Sequence, residues 1–300
     1  VNTPILLLVF NRPQQAIRIL ESIRQQQPAR LFIAADGPRY DKPGEATLCR
    51  ETRDAILQRL DWTCEVHTLF RDQNLGCAFA VSSAIDWFFS QVEEGIILED
   101  DCLPDPSFYS FCEILLDRYR DNTQVMHIGG TNYQAGITRG DASYYFSRYA
   151  HIWGWATWKR AWKYYDFTLL RYRNVPSDDL PAPFKWDLES FYEQKMDTWD
   201  TQWFLTVLFN KGLAITPNTN LIRNIGYGKE ATHTRNEPVW FKKMVYGTIN
   251  HILHPAETIA DQEADAYTLN TVFKCNPFFY MVKKLVKNNT LLHNLYKRIS

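Results

Sequence analysis

The chain of 300 residues predicts an α/β fold: a mixed, mostly parallel open sheet flanked by helices, with a helical C-terminal tail. Three observations carry that expectation. Apolar runs of strand length alternate with helix-period patterns through residues 1–125. Gly, Pro or acidic residues close those runs. A composition of 45% hydrophobic and 22% charged residues suits a soluble globular chain and excludes both disorder and a polytopic membrane protein.

Residues 4–10 form the first strand and end at Asn11-Arg12-Pro13; a helix follows with Ile17, Leu20 and Ile23 on one face. Residues 31–35 are a second buried strand, closed by Asp36-Gly37-Pro38, which leaves a carboxylate at the strand end. A helix over 45–60, a strand over 64–70 and a helix over 77–92 with Ala80, Ala84, Trp87 and Phe88 inward complete a βαβαβα alternation. Residues 95–98 are a fourth strand that runs into Glu99-Asp100-Asp101, and Pro104-Asp105-Pro106-Ser107 opens a helix through Tyr119. Open parallel sheets bind ligands beyond the carboxyl ends of their strands, where Asp36 and the acids 99–101 fall. Residues 1–125 therefore read as a nucleotide-binding half. Residues 126–250 read as the other half of the same domain: 144–172 are crowded with Trp, Tyr and Arg, 174–185 form a Pro-rich loop, 197–208 a helix and 213–216 a strand. Residues 251–300 form a C-terminal extension. Within it 272–300 carry six basic side chains and no acid, interleaved with apolar residues, so this tail either lies on an anionic membrane surface or packs as an ordinary helix.

Thirty-three basic and 34 acidic side chains leave a net charge of -1, so no global field draws the chain to nucleic acid, and no nucleic-acid partner is expected. The six cysteines are dispersed with no C-x-x-C pair and read as reduced, mostly buried thiols. The longest early apolar run falls far short of the about 20 residues of a spanning helix. A cytoplasmic location follows, with a peripheral position on the inner face of a membrane if the tail docks there. Asn288-Asn289-Thr290 is a glycosylation acceptor pattern that matters only in a secretory compartment. P-loop, G-x-S-x-G and metalloprotease helix motifs are absent.

Three adjacent acids after a buried strand repel one another unless a cation or donor groups neutralise them. A divalent ion with hard oxygen ligands, Mg2+ or Mn2+, fits, held by one or two carboxylates and completed by substrate phosphates. A solvated acidic turn is the alternative.

The ordered set Val9-Phe10-Asn11-Arg12-Pro13, Ala34-Ala35-Asp36-Gly37, Arg71-Asp72-Gln73-Asn74-Leu75-Gly76 and Ile96-Ile97-Leu98-Glu99-Asp100-Asp101 resembles a GT-A glycosyltransferase, the Rossmann-like nucleotide-diphospho-sugar transferase fold. More narrowly it resembles the N-acetylglucosaminyltransferase I type, whose E-D-D triplet is followed by a helix. The likeness spans residues 4–235. It implies that Arg12 and Asp36 contact the nucleotide, that Arg71, Asn74 and Gly76 cover it and its phosphates, that Asp100 reaches the nucleotide and Glu99 the donor sugar, and that Asp101 binds the metal. His151-Ile152-Trp153-Gly154-Trp155-Ala156-Thr157-Trp158 resembles the family's glycine-containing loop, which puts Gly154 and Trp155 at the donor sugar; for Trp153 and Trp158 an aromatic core segment is the competing reading. Asp197-Thr198-Trp199-Asp200-Thr201-Gln202-Trp203 is similar to the catalytic-base segment, with Asp200 as base and Asp197 as the alternative, or as a helix cap. Gly226-Tyr227-Gly228-Lys229-Glu230-Ala231-Thr232-His233 resembles the segment that brings a histidine, here His233, to the metal, with Lys229 near the leaving phosphates. Residues 134–190 match no family stretch, so the acceptor is not implied.

The activity implied is a metal-dependent inverting transfer from a nucleoside diphosphate sugar, with uridine as the expected base, to a hydroxyl of a glycan or glycolipid acceptor in bacterial surface glycan synthesis. Two alternatives remain: a sugar-phosphate nucleotidyltransferase, and a non-catalytic carbohydrate- or membrane-binding module. Ten Trp and 15% aromatic residues are unusual. Their concentration over 144–172, with Trp199 and Trp203, is expected to line the sugar-facing side of the cleft.

Overall fold

A computed structural model of the chain describes residues 1–176, 180–192, 198–226 and 238–273, with Asp187 and Ser190 described in their backbone alone. The first strand, β1 (Ile5–Val9), is the run ILLLV with every residue buried, so both of its faces are covered. Pro13 then opens α1 (Pro13–Arg24), where its missing N–H is one that a helix start leaves unpaired anyway. Ala16, Ile19, Leu20 and Ile23 are its buried face, while Ile17, expected inward, is half-buried. There follow β2 (Arg30–Ala35), α2 (Glu45–Leu57), β3 (Glu65–Phe70), α3 (Cys77–Phe89) and β4 (Glu94–Glu99). β1 pairs in parallel with β2 and β4, and β2 in parallel with β3.

Past β4 the chain turns through Asp100 and Asp101 into β5 (Cys102–Pro104) and then α4 (Pro106–Arg118), whose N-cap Asp105 accepts from the Ser107 N–H at 2.9 Å. The second half adds β6 (Val125–Gly129), β7 (Tyr144–Ser147), β8 (Trp155–Trp158), α5 (Lys159–Trp162), α6 (Ala182–Tyr192), α7 (Asp200–Phe209), β9 (Leu213–Pro217), β10 (Ile222–Asn224) and α8 (Gln262–Thr271). The Pro-rich stretch expected as loop to residue 185 gives way to α6 at Ala182, with Pro183 in the first turn, where proline is tolerated.

The result is the expected mixed, mostly parallel sheet: eight strands in the order β3-β2-β1-β4-β8-β6-β9-β7. Among the described residues β8 and β7 run against the others. Alternation along β1 sends Ile5, Leu7 and Val9 to a core shared with α1 and α4, and Leu6 and Leu8 to a core shared with α3, α5 and α7. β5 pairs instead with β10 in a two-stranded ribbon that anchors the corner just after the acidic triplet. Residues 251–273 pack along β7: the Asp261 N–H donates to the Phe146 carbonyl at 2.7 Å, and the buried Asp265 accepts from the Ser147 hydroxyl at 2.5 Å.

The aromatic excess corrects one expectation. Tyr144, Tyr149, Trp155, Trp158, Trp199 and Trp203 are each 2% exposed or less, so most of these rings belong to the core and not to a cleft. Trp155 stacks on Trp199 and His127, Trp158 lies under the Arg160 guanidinium at 4.2 Å, and the Trp203 indole donates to His127 Nδ1 at 3.1 Å. Each fully buried side chain of this size stabilises the fold by about 1.5–3 kcal/mol, so packing accounts for the bulk of the composition. Of the described cysteines Cys49, Cys102 and Cys112 are buried, Cys64 is half-buried and Cys77 exposed, all as free thiols. Among the described residues no helix is long and apolar enough to cross a membrane.

Candidate active site

The carboxyl ends of β1, β2 and β4 open on a cleft of about 340 Å3. Arg12, Asp36, Arg71, Asn74, Gly76, Glu99, Asp100 and Asp101, drawn from separate stretches of sequence, all line it. β1 lies between β2 and β4, so successive strands depart to opposite sides and a crevice opens where they diverge.

The acids at the end of β4 are held by one guanidinium. Arg12 Nη1 stands 3.1 Å from Asp101 Oδ2 and 3.4 Å from Asp100 Oδ1. Burial outweighs Arg12 at Asp100, which is 5% exposed, and pushes its pKa up to about 7. Glu99 is raised well above the carboxylate range, first by burial and then by the charges of Asp101, Asp100 and Asp200. Asp101 is tightly enclosed: its carbonyl accepts from the Ile225 N–H at 2.7 Å, and a methyl on Gly226 would stand 2.3 Å from Asp101 Oδ2. Only glycine lets the backbone approach the carboxylate that closely.

Asp36 organises the neighbouring loop. It accepts from the Gly37 N–H at 2.9 Å, the Leu75 N–H at 3.0 Å and Asn74 Nδ2 at 2.9 Å, so much of its hydrogen-bonding capacity is spent within the protein. Burial raises its pKa, and those N–H donors pull the other way. A methyl on Gly37 would lie 2.3 Å from the Gln73 carbonyl carbon, so the two loops touch only because residue 37 has no side chain. Arg71 lines the cleft, yet its guanidinium donates to the Ala80 carbonyl at 3.3 Å and the Ser83 hydroxyl at 2.8 Å, which fixes the start of α3.

Three supporting residues escape sequence reasoning. Arg39 lies over the Phe10 ring and pairs with Glu45, which also accepts from Asn11 Nδ2 at 3.0 Å. Arg53 donates to the carbonyls of Asp36 at 3.0 Å and Arg71 at 2.6 Å, tying the ends of β2 and β3 together. A buried Glu45 at the start of α2 leaves no sequence signal, because acids at helix starts are ordinary surface residues.

Asp200, the first residue of α7, lines a second cavity of about 260 Å3 together with Tyr133, His151, Trp153 and Trp240. Its carboxylate accepts from the Thr198 hydroxyl, and its charge is one of those that raise Glu99. Gly154 packs on Ile222 with its carbonyl accepting from the Gly130 N–H at 2.8 Å. Trp155, expected at the donor sugar, is 1% exposed in the core stack; its position in β8 turns the ring between His127 and Trp199, so that assignment is withdrawn. Asp197, Lys229, His233 and the tail from 274 lie outside the described residues.

Among the described residues no group of three or more His, Cys, Asp or Glu side chains is arranged to hold a metal ion. What is present fits a looser site: Asp101, with Glu99 beside it, offers hard oxygen at the cleft wall, as Mg2+ or Mn2+ needs when phosphate oxygens complete the shell.

No protein-family model matches the sequence, and no curated protein matches it. Among solved structures the chain is similar to a mannosyltransferase from Pyrobaculum calidifontis in complex with GDP-Man and Mn2+ (12% identity, 72% of this chain, TM-score 0.42), and it spans 55% of that longer chain. It is similar also to UDP-glucose pyrophosphorylase complexed with UDP-glucose (10% identity, 72% of this chain and 90% of that chain, TM-score 0.40). A third is mouse xyloside xylosyltransferase 1 (12% identity, 92% of this chain and 95% of that chain, TM-score 0.38). None of the three is of the N-acetylglucosaminyltransferase I type, and likenesses this distant assign the chain neither substrate nor reaction.

Proposed function

We propose that this chain is a glycosyltransferase that takes a sugar from a nucleoside diphosphate donor in the first cleft and passes it to an acceptor hydroxyl in the second cavity. The observation that carries the reading is the presence of two features: a cleft at the carboxyl ends of β1, β2 and β4 with an Arg12-bridged acidic corner, and a second cavity with a carboxylate, Asp200, on its wall. In this reading the loop from Asn74 to Gly76 and the guanidinium groups of Arg12 and Arg39 hold the nucleotide and its phosphates. Glu99 hydrogen-bonds a donor-sugar hydroxyl. Asp101, with Glu99 beside it, would hold a Mg2+ or Mn2+ ion whose charge offsets that of the diphosphate. Asp200 takes the proton of the acceptor hydroxyl as that oxygen bonds to the anomeric carbon; the bond from that carbon to the phosphate oxygen breaks, and the nucleoside diphosphate leaves with the electron pair. One displacement from the face opposite the leaving group inverts the anomeric centre and requires no enzyme nucleophile.

Nucleotidyl transfer is less well supported by the first loop. Enzymes of that class wrap a triphosphate in a glycine-rich turn, whereas here α1 starts at Pro13 directly after Arg12. A thermal-shift screen of nucleoside diphosphate sugars with manganese, led by uridine donors, tests the proposal. A donor at a hundred times its Kd stabilises the fold by about 2.7 kcal/mol, so at least one is expected to raise Tm while the free sugars do not. No shift with any nucleoside diphosphate or its sugars would overturn the reading.

A further inference from the structure

The cavity that Asp200 lines has a chemistry of its own. Tyr133, Trp153 and Trp240 stand on its wall with ring centroids 4.7 Å apart for Tyr133 and Trp240, 5.8 Å for the two indoles and 5.9 Å for Tyr133 and Trp153. All three are half-buried, unlike the core rings of β8 and α7. They are drawn from the loop after β6, the loop before β8 and the stretch before Met244, so tertiary packing alone assembles them. Rings already packed on one another lose little freedom when a ligand arrives.

The polar inventory narrows the occupant. Among the described lining residues there is one carboxylate, Asp200, and no lysine or arginine. His151, also on the wall, is 6% exposed and in edge contact with Tyr133 at 4.4 Å. Among the described residues a phosphate-bearing group would meet an anion and no cation there, whereas an uncharged polyol meets an acceptor for its hydroxyl and flat apolar faces for its C–H surface. At about 260 Å3 the space falls just below the range of about 300–1,000 Å3 typical of drug-sized ligand sites, which suits a single ring.

We propose that this cavity is an acceptor subsite for one uncharged pyranose ring, walled by Tyr133, Trp153 and Trp240, with Asp200 receiving the reacting hydroxyl. The acceptor is thereby a glycan end, not a peptide hydroxyl or a lipid phosphate. The proposal rests on the glycosyl-transfer reading only in calling this sugar the acceptor.

Saturation-transfer NMR on the whole chain tests it, with methyl glucoside, galactoside, mannoside and N-acetylglucosaminide as probes, and with glucose 6-phosphate and a Ser/Thr peptide as contrasts. At least one neutral pyranoside is expected to bind through its C–H face. Trp240→Ala and Trp153→Ala are each expected to weaken it about tenfold or more, equivalent to about 1.4 kcal/mol, while Trp240→Phe retains most of the affinity. Thermal unfolding of each variant confirms that it is folded; should one alanine variant fail to fold, the other and the phenylalanine variant decide. The proposal is overturned if no neutral pyranoside binds, if both alanine variants bind as the unaltered chain does, or if the phosphorylated sugar or the peptide binds better. A chain that binds a donor but no pyranoside keeps the transferase reading and loses this subsite. One that binds a ring here but no nucleotide keeps the subsite and loses the transferase reading.

Discussion

Replacing Arg12 by methionine keeps most of the side chain's volume and removes the charge that bridges Asp100 and Asp101. Asp100 is the sensitive reporter, because burial has raised its pKa to about 7 even with the guanidinium 3.4 Å away. Its folded pKa lies above its unfolded value, so its contribution is fully present at low pH and is lost as pH rises through about 7. Without Arg12 that folded pKa climbs by a further one to three units, roughly, and stability goes on falling by about 1.4 kcal/mol per pH unit where the unaltered chain has levelled off. From about pH 7 to about pH 8.5 the excess loss is about 2 kcal/mol, and near pH 5.5 it is close to zero, since Asp100 is protonated there with or without Arg12. Glu99, raised by the same surroundings, adds in the same direction. Urea unfolding of both proteins at the two extremes measures the difference. If Arg12→Met costs the same at both, Asp100 is not balanced against Arg12 and the electrostatics of the corner are wrong.

Three other perturbations probe the frame and the chemistry. His127 is wholly buried, donating from Nε2 to the His151 carbonyl at 3.0 Å and accepting from Trp203 at Nδ1; burial lowers its pKa to about 3, so its stabilisation is present above the unfolded value and is lost as pH falls. The gap between the unaltered chain and His127→Gln should narrow by about 2 kcal/mol from neutral pH to about pH 5, and a constant gap in denaturant midpoints would argue that His127 titrates normally. Gly37→Ala places a methyl 2.3 Å from the Gln73 backbone and should cost about 1–3 kcal/mol while weakening donor affinity; calorimetry showing neither effect would mean that the two loops do not meet as described. Asp200→Asn should lower turnover roughly 10²- to 10⁴-fold with donor affinity nearly intact, and full turnover would remove Asp200 from the base role.

The half of the fold that was legible in the sequence is the half that opens on an unbroken apolar run and carries helices with periodic apolar faces. The run ILLLV in β1 and the helix-period apolar faces of α1 and α3 state their structure locally, and Gly37, Pro38 and the acids mark where the strands end. Of the later strands, β9 was legible in the sequence at 213–216, and three others were not. VMHIG, YYFS and WATW are short and carry His127, Ser147 and Thr157, so their strand state comes from neighbours in the sheet and not from their own pattern. The rule that ligands gather at strand carboxyl ends reached Asp36 and the triplet, but it could not distinguish a residue that faces the ligand from one that holds a loop. Asp36 and Arg71 do much of the latter. Composition likewise reported an aromatic excess without its exposure: Trp155 and Trp203 went to the core, while Tyr133 and Trp240, outside the dense stretch, reached a cavity wall.

A glycosyltransferase breaks the bond from the anomeric carbon to the phosphate oxygen, whereas a nucleotidyltransferase breaks a bond within the diphosphate. Chromatographic analysis of the products formed from a nucleoside diphosphate sugar that the protein binds, with a neutral pyranoside as acceptor, distinguishes the two most directly. The predicted result is release of nucleoside diphosphate in step with a glycosylated acceptor of inverted anomeric configuration, suppressed by chelator and by Asp101→Ala. Formation of nucleoside triphosphate from the same donor and pyrophosphate, with no sugar transferred, would contradict it.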